Sequence, residues 1–184
     1  LDFQVDERLD SAWLDAMASE WSEGFEHGVY RLTKTSLATP EALALVCAAA
    51  RVPAAAGSYA GLKDKHAVTS QHITVRAPDE KGWRGLPPDM EGQGWRAHRM
   101  GWASQPIAAA AIRANEFTLV VRDLDAAAVD AMCQAWERLL RPPGELLLAN
   151  YYGDQRFGSA RHGEGFAAEA MVAGDYGRAL RLLV

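Results

Sequence analysis

Lys63, Asp64 and Lys65 stand in a row inside the stretch GLKDKHAVTSQ, Gly61 to Gln71, which opens on a glycine and closes on small polar residues. A carboxylate flanked by two ammonium groups can be held ionised, because nearby positive charge favours the charged form. An ionised aspartate is useful as a nucleophile or as a proton acceptor. Neighbours in a loop need not point the same way, so a solvated charge run fits the same three residues. Other chemistries find no support: the chain has no G-x-x-x-x-G-K-[ST] phosphate loop, no H-E-x-x-H, no paired C-x-x-C and no G-x-S-x-G. His66 and His72 are six residues apart with no thiolate or third ligand nearby in sequence, which reads as two polar histidines and not as a metal site. Glu23, Glu26 and His27 read as the hydrophilic lead-in to a strand.

The elements that must position this loop follow from periodicity. GVYRLTKTS, residues 28–36, is rich in β-branched and aromatic residues and reads as a strand. A helix follows, with Thr39 as candidate N-cap, Pro40 in its first turn and Glu41 complementing its positive end; Leu43, Val46, Cys47 and Ala50 form its buried stripe, and Pro53 stops it. Strands are expected over 71–77, 94–101 and 116–123, with residues 78–93 a loop by their Gly, Pro and charge content. Asp125 to Arg141 reads as an amphipathic helix with Val129, Met132, Cys133, Trp136, Leu139 and Leu140 on one face. The tail from Phe166 to Val184 reads as helical, with Gly174 and Gly177 weakening its middle. Strands and helices intermixed with short gaps predict an α+β domain built on a mixed or antiparallel sheet with flanking helices.

Composition bounds the function classes. The 184 residues are 49% hydrophobic and 23% charged, enough for one domain with a core or for part of something larger. Cys47 and Cys133 both fall on apolar helix faces and read as small core residues in a reducing compartment. No apolar run reaches the roughly 18 residues of a membrane helix, and LDFQVDERLD lacks the regions of a signal peptide, so a cytoplasmic protein is expected. A net charge of -5 argues against coating nucleic acid by bulk electrostatics. Any polyanion must be held by local patches, of which GWRAHRMGW (94–102) and DQRFGSARHG (154–163) are candidates. Basic residues beside aromatics in both suit phosphate contact with base stacking, and a solvated strand face with aromatic packing fits the pattern at least as well.

The quoted loop resembles the signature of the TruD family of tRNA pseudouridine synthases, G-x-K-D-[KR]-x-A-x-T-x-Q, through Gly61, Lys63, Asp64, Lys65, Ala67, Thr69 and Gln71. RANEFTLVVRD is similar to the family's G-N-x-F-x-[IVL]-x-[IVL]-R element through Asn115, Phe117 and Arg122. ANYYGDQRFG is similar to P-N-Y-F-G-x-Q-R-F-G through Asn150, Tyr151, Gly153, Gln155, Arg156, Phe157 and Gly158, and DFQVDE resembles the end of the E-D-F-x-V-x-E strand.

The resemblance implies a pseudouridine synthase-like fold and isomerisation of a uridine in folded tRNA, uridine 13 of the D arm, with neither metal nor organic cofactor. It makes Asp64 the catalytic carboxylate, as nucleophile or base, and Phe117 a stacking platform for an extruded base, a contact worth about 1–3 kcal/mol. Asn115 would read an edge of the uracil. Lys63 and Arg156 would keep the carboxylate charged in a dry pocket. Asn150 and Gln155 join the substrate-binding set by match. Plainer readings stay beside these: Phe117 as a core strand residue, Arg156 as an ion-pair partner.

The sequence also departs from the family pattern. Members carry a lysine in a K-x-x-P-E-D-F run before the position of Leu1, a basic residue where Gln105 stands and a glycine where Ala114 stands. They also have an inserted second domain and a returning half beyond the third motif. A single catalytic-domain portion over 1–184 is therefore expected, completed by a second copy or by the missing half. Two other readings compete with the synthase: a non-catalytic RNA-binding or assembly module derived from the family, and an unrelated hydrolase using Asp64 as general base.

Overall fold

A computed structural model describes residues 2–77, 86–141, 145–146 and 167–183. It divides into two compact units, Leu1–Asp123 and Leu124–Val184. The first unit is built on a mixed sheet of seven strands: β1 (Phe3–Leu9), β2 (His27–Lys34), β3 (Gly57–Tyr59), β4 (Val68–Arg76), β5 (Asp89–Gly92), β6 (Trp95–Ala103) and β7 (Ile112–Leu119). Their order is β5-β6-β2-β4-β1-β7, with β3 also paired to β4. β1 runs parallel to β4, and the other pairs in the sheet are antiparallel. Helix α1 (Ser11–Asp15) follows β1, and α2 (Thr39–Ala49) follows β2.

Side chains alternate across a strand, and that period decides what faces α2. In β2, Tyr30, Leu32 and Lys34 are all buried, and their cross-strand partners on β4 are Ile73, Gln71 and Thr69. Leu43, Val46 and Cys47 of α2 close over this face with Tyr30, Leu32, Ile73, Val75, Trp95 and Ala97, making the main core. Strand β4 is central and buried on both faces from Thr69 to Val75.

One edge of β4 is shared. β1 pairs with it as far as Ser70, and β3 takes over at Ile73. The gap falls at Gln71 and His72. There the His72 main-chain N–H donates 2.9 Å to the carboxylate of Glu7 in place of a strand carbonyl. A buried N–H needs such an acceptor.

Several expectations are corrected. The strand expected over 116–123 runs from Ile112 to Leu119, because its register is set by pairing with β1, from Leu9↔Ile112 to Phe3↔Leu119. It ends before Asp123, which takes a positive φ of 57°. Within the segment expected to be loop, Asp89–Gly92 forms β5 against β6. The N-cap of α2 is Ala38, not Thr39; its N–H donates 2.8 Å to the Glu41 carboxylate, and the Thr39 hydroxyl is engaged elsewhere. In the 94–102 segment Trp95 and Trp102 are core residues, with the Arg99 guanidinium 4.9 Å from the Trp102 ring centroid, while Arg96 and His98 face outward. Those two indoles are therefore packing groups. The 154–163 segment lies outside the described residues.

In the second unit, α3 (Ala126–Leu139) starts where the Asp125 carboxylate accepts the Ala128 N–H at 2.7 Å. Strands β8 (Leu140–Arg141) and β9 (Glu145–Leu146) pair with each other. Helices α4 (Ala167–Val172) and α5 (Tyr176–Leu183) form a hairpin that turns at Gly174, φ +76°, and buries Ala170, Ala179 and Leu182. Gly177 lies within α5. On α3, Val129, Met132 and Trp136 are exposed, and so is Cys133, which corrects its reading as a core residue; Cys47 is buried as expected. Among the described residues no helix is long and apolar enough to cross a membrane.

Candidate active site

The segment from Gly61 to Ala67 has no regular structure of its own and is held by side chains from three other elements, α2, β1 and β2. The Lys63 N–H donates 3.0 Å to the Thr39 hydroxyl at the start of α2, and that hydroxyl donates 2.9 Å to the Gln71 Oε1 on β4. The Lys63 ammonium reaches back under the loop to Glu7 on β1, 2.5 Å from Oε2. The third anchor is Lys34 at the end of β2, whose ammonium donates to the main-chain carbonyls of Leu37 at 2.8 Å and Asp64 at 2.9 Å, with the Lys63 carbonyl at 3.5 Å. Ala67, Thr69 and Gln71 are buried and serve as scaffold. A Cβ at Gly61 would stand 3.3 Å from the Ile112 side chain, so the glycine permits a close approach of loop to β7.

The outcome for Asp64 is a fixed main chain and an exposed side chain. Its Oδ1 accepts the His66 N–H at 2.7 Å, a local turn that leaves the other oxygen free of any intramolecular hydrogen bond among the described residues. Lys65 is exposed and 3.8 Å from Glu41. The two lysines next to Asp64 in sequence are therefore committed to glutamates, Lys63 to Glu7 and Lys65 to Glu41. The cation that touches the Asp64 main chain is Lys34, which sequence reading passed over.

Glu7 is the electrostatic centre beneath the loop, with a side chain 1% exposed. Burial pushes its carboxyl up, but hydrogen bonds from His72 and Lys63 outweigh that and hold it below the ordinary glutamate value. The His72 Nδ1 lies 3.2 Å from Glu7 Oε1. Burial pulls the Lys34 ammonium below the usual lysine range; the Asp64 carboxylate opposes that shift and Lys63 adds to it. The charge pairs of the site are thus Lys34 with Asp64 and Lys63 with Glu7.

The second motif lies on the same face of the sheet. Residues opposite each other in an antiparallel pair project to one side. Asn115 is opposite Glu7 and Phe117 is opposite Val5. Phe117 is 59% exposed and stacked on Phe3, ring centroids 6.1 Å apart and planes 6° from parallel. It is thus a solvent-facing ring on the edge strand, not a core residue. Arg122 pairs with Asp2 across the β1–β7 edge. Asn150, Gln155 and Arg156 lie outside the described residues.

Sequence signals for the missed residues exist. Lys34 stands in phase with Tyr30 and Leu32, and Glu7 in phase with Val5 and Leu9; a charged residue at the buried phase of a strand must be paired.

The family described as tRNA pseudouridine synthase D (TruD) matches the sequence over residues 1–184. A probable tRNA pseudouridine synthase D of Natronomonas pharaonis is 36% identical over 164 residues, which cover 87% of this chain and 35% of that protein. A tRNA pseudouridine synthase D of Pseudomonas putida is 35% identical over 175 residues, 92% of this chain and 43% of that one. The fold is also that of the crystal structure of the putative tRNA pseudouridine synthase D from Methanosarcina mazei, with a TM-score of 0.67 at 21% identity, covering 97% of this chain and 38% of that one. The chain therefore spans less than half the length of these relatives. With a family match along its whole length, and with the Gly61–Gln71 loop and the Asn115–Phe117 motif brought to one face of the sheet, the chain belongs to the tRNA pseudouridine synthase D family.

Proposed function

We propose that this chain carries the catalytic loop of a synthase that isomerises uridine to pseudouridine in tRNA, with Asp64 as the reacting carboxylate. The supporting observation is the loop's construction: hydrogen bonds to the Lys63 N–H and the Asp64 carbonyl fix the main chain, the Lys63–Glu7 pair holds the loop from beneath, and the Asp64 side chain is left open to a substrate. A group held without reorganisation at the moment of reaction is what positioning catalysis requires. In the reaction the uracil N1–C1′ bond breaks and a C5–C1′ bond forms, C5 loses its proton and N1 gains one. Asp64 acts as nucleophile or as proton acceptor in that exchange. Phe117 offers an exposed ring for an extruded base, and Asn115, beside it on β7, a hydrogen-bonding amide. Uridine 13 of the D arm is the proposed target, by family resemblance.

The relatives' greater length gives this reading a partner. Among the described residues β7 is an edge strand, with Phe117 and Leu119 exposed and followed by exposed Val120 and Val121. Such an edge is covered in a working protein by further sheet or by another chain. The proposed cover is the segment that the relatives possess beyond the matched part, or a second copy. The same feature favours one alternative, an RNA-binding or assembly module without turnover.

Incubation with a tRNA transcript and analysis for pseudouridine, alongside Asp64→Asn, tests the reading. Product from the unsubstituted chain and none from the variant supports it. RNA binding without product from either moves the assignment to the alternative.

A further inference from the structure

Lys34 has the lowest relative exposure of any charged residue described, 1% for the whole residue against 3% for Glu7, and nothing in the family motifs points to it. A lysine ammonium has three donors and no acceptor. Here two of them are satisfied by main-chain carbonyls at 2.8 and 2.9 Å, those of Leu37 and Asp64, and a third carbonyl, that of Lys63, stands at 3.5 Å. No carboxylate oxygen lies within ion-pair distance of this cation among the described residues. A buried ammonium solvated only by carbonyl dipoles is costly unless compensated. The nearest negative charges that act on it are those of Asp64 and Glu41. Glu41 sits on α2 with its oxygen committed to the Ala38 N–H and near Lys65.

We propose that Lys34 is a positioning residue of this site: its ammonium clips the carbonyl of Asp64 to the carbonyl of Leu37, tying the catalytic loop to the entry of α2 and fixing the direction in which the Asp64 side chain leaves the main chain. This rests on the reading of Asp64 as the reacting carboxylate. The clip and the Lys63–Glu7 pair are independent anchors. One holds the loop from the β2 side and the other from the β1 side, so the loop straddles the buried strand β4 between them. Lys34 touches main chain and not substrate, so its loss should slow the reaction without weakening RNA binding.

The test compares the unsubstituted chain with Lys34→Met, which keeps the stem and removes the donors. Amide hydrogen exchange in residues 63–67 should speed up about tenfold or more while β2 and β4 amides stay within about threefold. In tRNA conversion, kcat should fall about tenfold or more with KM for tRNA within about threefold, the signature of a lost positioning contact. Unchanged exchange at residues 63–67, or a rise in KM with kcat preserved, overturns the proposal. Should Lys34→Met fail to fold, the ammonium resonances of the unsubstituted protein decide: a clipped Lys34 gives slowly exchanging NH3 protons, and exchange as fast as that of Lys65 overturns it. The exchange readouts do not depend on turnover. Product formation that survives in Asp64→Asn would sink the catalytic reading and leave the clip to be judged by loop exchange alone.

Discussion

Two ion pairs in the same sheet have the same 2.5 Å separation and should differ several-fold in worth. Arg8 and Glu116 pair on the outside of β1 and β7, with side chains 55% and 58% exposed. Lys63 and Glu7 pair beneath the loop, 5% and 1% exposed. An exposed pair contributes little, because water screens the attraction and both long side chains lose entropy. Removing one member of a buried pair costs about 3–5 kcal/mol, since the remaining charge is stranded without solvent. Glu7→Gln should therefore destabilise the first unit by about that amount, a large part of a domain's usual 5–15 kcal/mol, whereas Arg8→Ala should leave its stability close to that of the unsubstituted protein. Urea denaturation followed by tryptophan fluorescence measures both. The double variant Glu7→Gln with Lys63→Met removes both charges and should recover about 1 kcal/mol or more relative to the sum of the singles. Glu7 also sets a pH signature. Its folded-state value lies below the ordinary 4.5, so its contribution is fully present above that value and is lost as pH falls through the lowered one. Glu7→Gln should flatten that acid limb. Additive single effects, or an Arg8 variant as damaging as the Glu7 one, would refute the assignment of Glu7 as the loop's buried counter-charge.

Phe117→Ala should weaken productive tRNA engagement by about 1–3 kcal/mol, measured as kcat/KM or binding, while Phe117→Tyr retains most of it; equal loss in both would remove stacking as the role of this ring. Gly57→Ala should destabilise the first unit by about 1–3 kcal/mol, because a Cβ there would stand 2.7 Å from the Cys47 sulfur and 2.8 Å from a Leu43 methyl. Wild-type stability in denaturation would show that α2 can shift to admit it.

Much of the architecture was legible because period and burial agree. Residues 28–36 and 71–77 foretold β2 and β4 by their β-branched content, and the stripe of Leu43, Val46, Cys47 and Ala50 foretold the buried face of α2. The strand near residue 116 was placed late because propensity favours the apolar run LVV, whereas the register with β1 decides where pairing stops. β5 was invisible: DMEG has no strand propensity and forms only because β6 offers an edge. At the site, the family resemblance pointed to Asp64, Asn115 and Phe117, and it set Lys63 beside the Asp64 carboxylate, whereas the Lys63 ammonium pairs with Glu7. Adjacent loop residues point in different directions, and Lys63 turns inward to Glu7 while Asp64 turns out. The contact between Lys34 and Asp64 spans 30 positions, a separation that no local pattern encodes.

The central claim is that the Asp64 carboxylate performs the isomerisation, and release of tritium from tRNA labelled at uracil C5 reads that reaction directly. Release is expected from the unsubstituted chain, together with whatever completes its β7 edge, and none from Asp64→Asn at equal tRNA occupancy. Release by the variant at the unsubstituted rate would contradict it.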